Sequence, residues 1–326
     1  MGSSSPEIEF ARVVRDGLAV QEALPLLGVG DLLVRLRAAL VGDGELAWSF
    51  APGRALVADV LAVGEDSPFK PGQKVFPAWR AACGICEACS SGNETACKDW
   101  QRSSLRPQGL ASQFVVPAWN ARKATMALSS DQSVGAQVFL EALACHCRGL
   151  RRAGEMLVRR VVVQGDGVQA LLWGLVLEVR HLSAQRILCA DAVPLGHQAF
   201  GFQERRGLGE SLEGRDGEGV DLIVLTQPGK QQVEWALERI NVGGTVLLSG
   251  QASGRCDVDL EHLATREIRL VVSREASTRD LRAALEMLPQ LAGRLESLTE
   301  KCVDFEVWDG IVPQGSGNLP TLIVQK

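Results

Sequence analysis

Four cysteines in the run CGICEACSSGNETAC, at Cys83, Cys86, Cys89 and Cys97, are the residues whose type and spacing most directly imply chemistry. Four thiolates at short intervals in one polar loop match a closed tetrahedral zinc site, with every sulfur deprotonated and no position left for a substrate. Such an ion holds a loop in shape and does not react. The same residues could form two disulfides. However, a 326-residue chain with five further scattered cysteines and no secretory pattern reads as cytoplasmic, where disulfides are rare. One structural Zn2+ per chain is expected.

A second chemical feature follows the apolar run VVVQ, which leads into Gly165-Asp166-Gly167-Val168-Gln169-Ala170 and then directly into an apolar helical pattern. In a strand–turn–helix, Gly165 would permit the tight turn and Gly167 would let the backbone approach a pyrophosphate. Ala170 would allow close helix–strand packing, with the phosphates at the positive helix N-terminus. The next apolar run, RILCAD, ends in Asp191 a little over twenty residues on, where a carboxylate binds the adenosine ribose hydroxyls. The following Ala192-Val193-Pro194 supplies no Arg or Lys for a 2′-phosphate, so NAD(H) is expected over NADP(H). The alternative is that the glycines only turn the chain and Asp191 only caps a turn.

The elements that must position these residues divide in two. From Glu9 to about Phe114, short β-like runs alternate with turn residues: EFARVV, LLVRLRAAL, ALVADVLAV, QKVFPAW and LASQFVVP. After Asp131 come a helix around Gln137 to Ala153, the strand VRRVVVQG, the helix VQALLWGLVLEV and the strands RILCAD, VDLIVLT and GGTVLLSG. Helices alternating with nearly all-apolar strands predict a parallel sheet covered on both faces. A last helix, TRDLRAALEMLPQLAG, and the strand TLIVQK close the chain.

Composition fits this α/β reading: 46% hydrophobic and 22% charged residues suit a globular chain of two domains. A net charge of −5 without a basic block argues against nucleic acid, and no apolar stretch reaches the ~20 residues of a membrane helix. The opening MGSSSPE reads as a polar tail outside the fold argument.

A four-cysteine loop inside an N-terminal β domain, followed by a dinucleotide unit, resembles the zinc-type medium-chain dehydrogenase/reductase superfamily of alcohol, sorbitol and threonine dehydrogenases. VGEDSPFKPGQKVF resembles the family's VG…FKPGDRV segment, LEALACHCRGLRRAG its EPLA…RRAG helix, and VDLIVLTQPG and GGTVLLSG its fourth and fifth Rossmann strands. The resemblance implies a GroES-like, β-rich substrate domain, residues 1–133 and 281–326, and a Rossmann doubly wound parallel sheet domain, residues 134–280. It also implies a small-molecule substrate bound in the cleft between them and a homodimer or homotetramer. Val168, Thr226 and Gly250, at the ends of Rossmann elements, join Gly165, Gly167, Ala170 and Asp191 as expected cofactor contacts.

The resemblance breaks at the family's second, catalytic zinc, bound by the Cys of a GIC(G/R)(S/T)D run, a GHE motif and a further residue. Here Gly42 stands for that cysteine, Gly44 for the relay hydroxyl, Arg54 for the histidine and Ala55 for the glutamate, while Glu141 matches the Glu of EPLA. One carboxylate cannot hold a catalytic zinc, and metal-assisted alcohol oxidation loses its alkoxide stabiliser. Reduction of a C=C bond conjugated to a carbonyl needs only hydrogen-bond donors for the enolate oxygen. The expected reaction is therefore NADH-dependent reduction of an α,β-unsaturated thioester, of acyl-CoA type, or of a ketone. Arg54 would stand as the fixed positive charge, with Asp43, Glu45 or Glu141 orienting it or relaying a proton. Alternatives are an Arg54–Glu141 pair that only fills a vacated site, a metal-independent carbonyl reductase, and a non-catalytic NAD-binding sensor.

Other candidates carry less. Cys145, His146 and Cys147 are consecutive on a predicted helix and point in different directions, so they cannot share an ion. His146 is expected to be packed or solvated; His181, His197 and His262 have no partner at ligand spacing. Cys189, Cys256 and Cys302 are expected to be small buried apolar residues. Trp48 could line a substrate pocket or pack in the core, and the absence of tyrosine excludes a tyrosine general acid.

Overall fold

In a computed structural model, residues 10–15, 18–42, 51–154, 157–180, 183–191, 196–212, 219–299, 301–310 and 319–325 are described. Asp43, Glu45 and Trp48 lie outside them, as do Ala192, Val193 and Pro194.

The N-terminal half is built from strands β1 (Phe10–Arg15), β2 (Leu18–Ala23), β3 (Leu32–Val41), β4 (Leu56–Val63), β5 (Lys74–Phe76), β6 (Leu110–Ala111), β7 (Gln113–Val116) and β8 (Met126–Ala127). Short helices α1 (Glu87–Ser90), α2 (Lys98–Arg102) and α3 (Ala118–Lys123) interrupt them. β3 is the hub, pairing antiparallel with both β4 and β7, and β1 lies between β2 and β6 in a small second sheet. Alternate residues of β3, Leu32, Val34 and Leu36, enter one apolar core with Val13, Phe114 and Trp308, as period-two patterning requires.

Next come α4 (Val134–Gln137), α5 (Leu140–Ala153), β9 (Arg160–Gln164), α6 (Val168–Val179), β10 (Gln185–Cys189), β11 (Glu204–Arg206), β12 (Val220–Leu225), α7 (Lys230–Arg239), β13 (Ile240–Ser249), α8 (Leu260–Thr265) and β14 (Arg269–Ser273). The six strands pair in parallel in the order β11-β10-β9-β12-β13-β14. In sequence rank this is 3-2-1-4-5-6, the doubly wound order whose strand succession reverses between β9 and β12, while every strand keeps the same direction. β9 is buried on both faces: Val161 and Val163 face the core shared with α5 and α6, and Val162 faces the one shared with α7. That double burial is why its sequence is a continuous apolar run rather than an alternating one.

α9 (Thr278–Glu296) begins with a capping box in which Ser277 N–H donates to Asp280 Oδ2 at 2.9 Å, and it packs along α5. The chain then returns to the first half: β15 (Lys301–Asp304) pairs with β16 (Thr321–Val324), which pairs antiparallel with β3. Cys302 corrects an expectation. On the outer strand β15 it is exposed rather than buried, Cys256 is half-buried in a loop, and Cys189 alone of the three is buried. Among the described residues no helix is long and apolar enough to cross a membrane.

Candidate active site and metal centre

The cysteine loop closes on itself through α1 and a short turn at Glu94–Ala96, and the Sγ atoms of Cys83, Cys86, Cys89 and Cys97 all lie within 4.8 Å of one another. The Sγ separations are 3.8 Å for Cys83–Cys89, 3.5 Å for Cys86–Cys89 and 3.6 Å for Cys97–Cys83. A tetrahedron with Zn–S bonds of about 2.3 Å has S–S edges of about 3.8 Å, so the donor set fits zinc. Backbone N–H groups of Cys83, Gly84 and Cys86 point at the sulfurs of Cys97, Cys89 and Cys83. Burial pushes the Cys89 thiol up to about 12, while at Cys97 backbone donors outweigh burial and bring it down to about 6. Four thiolates this close repel one another and are held together by a cation.

The loop is tied to the Rossmann half. Arg148 Nη1, on buried α5, lies 3.0 Å from Glu94 Oε2 and 3.7 Å from Asp280 Oδ2. Arg151 holds Asp280 with two parallel bonds of 2.9 and 3.1 Å, and Trp100 Nε1 donates to Glu275 Oε2 at 3.0 Å. The metal loop, α5 and the start of α9 are thereby joined in one network.

At the dinucleotide loop, β9 ends and α6 begins with Gly167 at its N-cap and no side chain satisfying its first N–H groups. Those donors and the helix dipole suit an anion. Gly165 adopts φ +150°, and a Cβ there would fall 1.9 Å from Thr226 Oγ1, so only glycine fits. Thr226 in turn donates to Gln164 C=O at 3.1 Å, and Gly250, at φ +112°, passes its backbone against the Thr226 carbonyl. Val168 and Ala170 are buried at the strand–helix contact. Asp191, exposed beyond β10, accepts from the Leu208 N–H at 3.3 Å. The expected cofactor residues thus gather at the carboxyl ends of β9, β10, β12 and β13, the crevice where open α/β sheets bind ligands.

Arg54 and Glu141 meet at the third site. The Leu40 N–H donates to the Ala55 carbonyl at 2.9 Å, which holds Arg54 beside the end of β3, near buried Gly42. Glu141 stands in the first turn of α5. Arg54 Nη2 lies 3.5 Å from Glu141 Oε1, and both side chains are nearly buried. Trp79, not singled out from sequence, completes the cluster: its ring lies 4.3 Å from the Arg54 guanidinium carbon, and its Nε1 donates to Glu141 Oε1 at 3.3 Å. The Arg80 guanidinium carbon also lies 4.6 Å from the Trp79 ring. Burial pushes the Glu141 carboxyl above its usual range, and Arg54 and Trp79 offset only part of that cost.

One helical turn past Glu141, the half-buried Cys145 has a thiol pushed well up by burial and then by the Glu141 charge. His146 is buried, with Nδ1 2.5 Å from Ala142 O and Nε2 3.2 Å from Gln169 O, and its ring tilts against Trp173. Burial lowers it to about 4, so the ring is neutral and its single N–H donates to one of these two carbonyls.

Comparison with known proteins agrees with this architecture. Residues 30–126 match the alcohol dehydrogenase GroES-like domain. A D-altritol 5-dehydrogenase from Agrobacterium fabrum is 25% identical over 301 residues, covering 84% of this chain and 86% of that one. An alcohol dehydrogenase structure from Thermotoga maritima superposes with a TM-score of 0.79 at 16% identity, covering 98% of this chain and 100% of that one. A short chain alcohol dehydrogenase from Escherichia coli CFT073, solved with NADH, gives a TM-score of 0.78 at 16% identity, covering 97% and 99%. Residues 30–126 thus carry an alcohol dehydrogenase GroES-like domain, and most of the chain is similar to a polyol dehydrogenase, which together support an NAD(P)-dependent oxidoreductase.

Proposed function

We propose that this oxidoreductase reduces a C=C bond conjugated to a carbonyl, in an α,β-unsaturated thioester or ketone, without a catalytic zinc. The observation that carries the reading is the nearly buried Arg54–Glu141 pair with the Trp79 ring packed on the guanidinium, Arg54 and Glu141 being the residues that the resemblance matches to the histidine of the family's GHE motif and the Glu of its EPLA motif. A buried cation that cannot lose its proton stabilises negative charge on a carbonyl oxygen without metal ligands.

The cofactor supplies a hydride when bound, and the loop at Gly165–Ala170 with Asp191 would hold it as NAD(H). The substrate accepts hydride at its β carbon, the C=C electron pair moves toward the carbonyl oxygen, and the α carbon then takes a proton. Arg54 holds the oxygen. Glu141, whose carboxyl burial pushes up, is placed to pass a proton through the cluster. Trp79 fixes both side chains by stacking on one and donating to the other.

Similarity to a D-altritol dehydrogenase favours a second reading, metal-free reduction of a carbonyl carbon. NADH deuterated at C4 separates the two: incubation with crotonyl-CoA, and in parallel with simple aldehydes, followed by mass spectrometry and NMR. Label at the β carbon of the saturated thioester supports the proposal; label only on a carbinol carbon overturns it.

A further inference from the structure

We infer a second binding site, for an aliphatic carboxylate, in a cavity of about 520 Å³ at the amino-terminal ends of the central Rossmann strands β9 and β12, opposite the dinucleotide loop. Its volume falls within the ~300–1,000 Å³ of small-molecule sites. The cavity is walled by the last turn of α5, the residue Val158 leading into β9, Leu222 in β12, the end of α6 and the first turn of α9. Leu222 pairs in register with Val161 near the start of β9, whereas Gly165 follows that strand's end. The two sites are thus separated by about 13 Å of strand, the four residues from Val161 to Gly165 at ~3.3 Å each.

The lining is two-sided. Leu150, Ala153, Val158, Leu222 and Ala283 offer apolar surface, and Arg151, Arg180 and Arg279 offer three guanidiniums. The lining carboxylate is Asp280, already held by two bonds from Arg151. Among the described residues no carboxylate lies within 4 Å of Arg180 or Arg279; Arg180 Nη2 meets only the Cys147 sulfur, at 3.8 Å. Among the described residues, two cations therefore have no carboxylate partner beside an apolar recess. A ligand that satisfies both halves carries one carboxylate, which guanidiniums bind in parallel hydrogen bonds, and a short alkyl chain. A dinucleotide or nucleic acid would waste the apolar wall, and a neutral hydrocarbon would leave the arginines uncompensated.

The test is isothermal titration calorimetry of the full chain with sodium octanoate, with 1-octanol as the neutral probe of equal length. The expected result is one octanoate per chain, bound at least about tenfold tighter than octanol, and not displaced by saturating NADH. Arg180→Gln with Arg279→Gln, both exposed and remote from the dinucleotide loop, should weaken octanoate at least about tenfold while leaving NADH affinity and the unfolding temperature unchanged. Ala283→Phe should block both probes. Equal affinity for octanoate and octanol, unchanged octanoate binding in the double variant, displacement by NADH, or no binding up to about 10 mM would each overturn the assignment.

Discussion

Arg54 Nη2 stands 3.5 Å from Glu141 Oε1, with the Trp79 ring packed on the guanidinium and its Nε1 bonded to the same carboxylate oxygen. A buried ion pair held from two sides is costly to build and costly to break, because removing one partner leaves the other charged and desolvated. Arg54→Gln should lower kcat by about 10²–10³-fold, the usual cost of one lost oxyanion donor, with NADH affinity within about twofold of wild type. Arg54→Lys keeps the charge but loses the planar stack on Trp79 and should recover only part of the rate. Steady-state kinetics with fluorescence titration of NADH checks both. If Arg54→Gln turned over at the wild-type rate, the pair would be filler.

Cys86→Ser removes one corner of the four-sulfur cluster. Zinc content should fall by one ion per chain, and the unfolding temperature should drop, since the remaining thiols are left without a compensated cation. Glu94 lies in the same loop and holds Arg148 and Arg151, so the loss should also loosen the contact with α5, read as faster amide exchange at residues 145–153. Unchanged zinc by elemental analysis would contradict the assignment.

Gly165→Val tests the dinucleotide loop. Any Cβ at this position collides with the Thr226 hydroxyl and must adopt φ +150°, so the turn between β9 and α6 has to shift. NADH should bind at least about tenfold more weakly, while the zinc content stays at the wild-type value. Thr226→Ala should restore part of the affinity to Gly165→Val by clearing the space.

The sign of the His146 effect follows from its burial. Its pKa is about 4 folded, against a usual value of 6.5, so the unfolded chain binds the extra proton between those values. Stability from keeping the ring neutral is full above about pH 6.5 and is lost as the pH falls toward 4, amounting to about 3 kcal/mol in all. Urea unfolding at pH 7 and pH 4.5 should show a larger loss for wild type than for His146→Gln. Equal losses would mean that His146 is not kept neutral by the fold.

The local features were legible in the sequence, and the non-local ones were not. The four cysteines and the Gly165–Ala170 loop each lie within one short segment, so spacing alone reported their geometry. α6 was readable from Val168 to Val179, and β3, β9 and β12 from their apolar runs, because burial on one or both faces writes itself into every residue. The strands β2, β11 and β15 were not, since they are exposed or polar pieces whose extended form depends on a neighbour distant in sequence. Trp79 gave no signal for a similar reason. Its partner Glu141 is 62 residues away, and only the packing of the β domain on α5 brings them together. Cys302 misled because cysteine composition suggests burial, while an edge strand exposes what it carries.

The central claim, a reductase with a structural zinc but no catalytic one, is tested most directly by counting metal on active protein. Zinc per chain should be determined by elemental analysis on the same preparation whose NADH oxidation is followed with crotonyl-CoA and with simple aldehydes. The account predicts one zinc per chain and turnover of the enoyl thioester that added zinc does not raise. Two zincs per chain, with turnover confined to aldehydes, would contradict it.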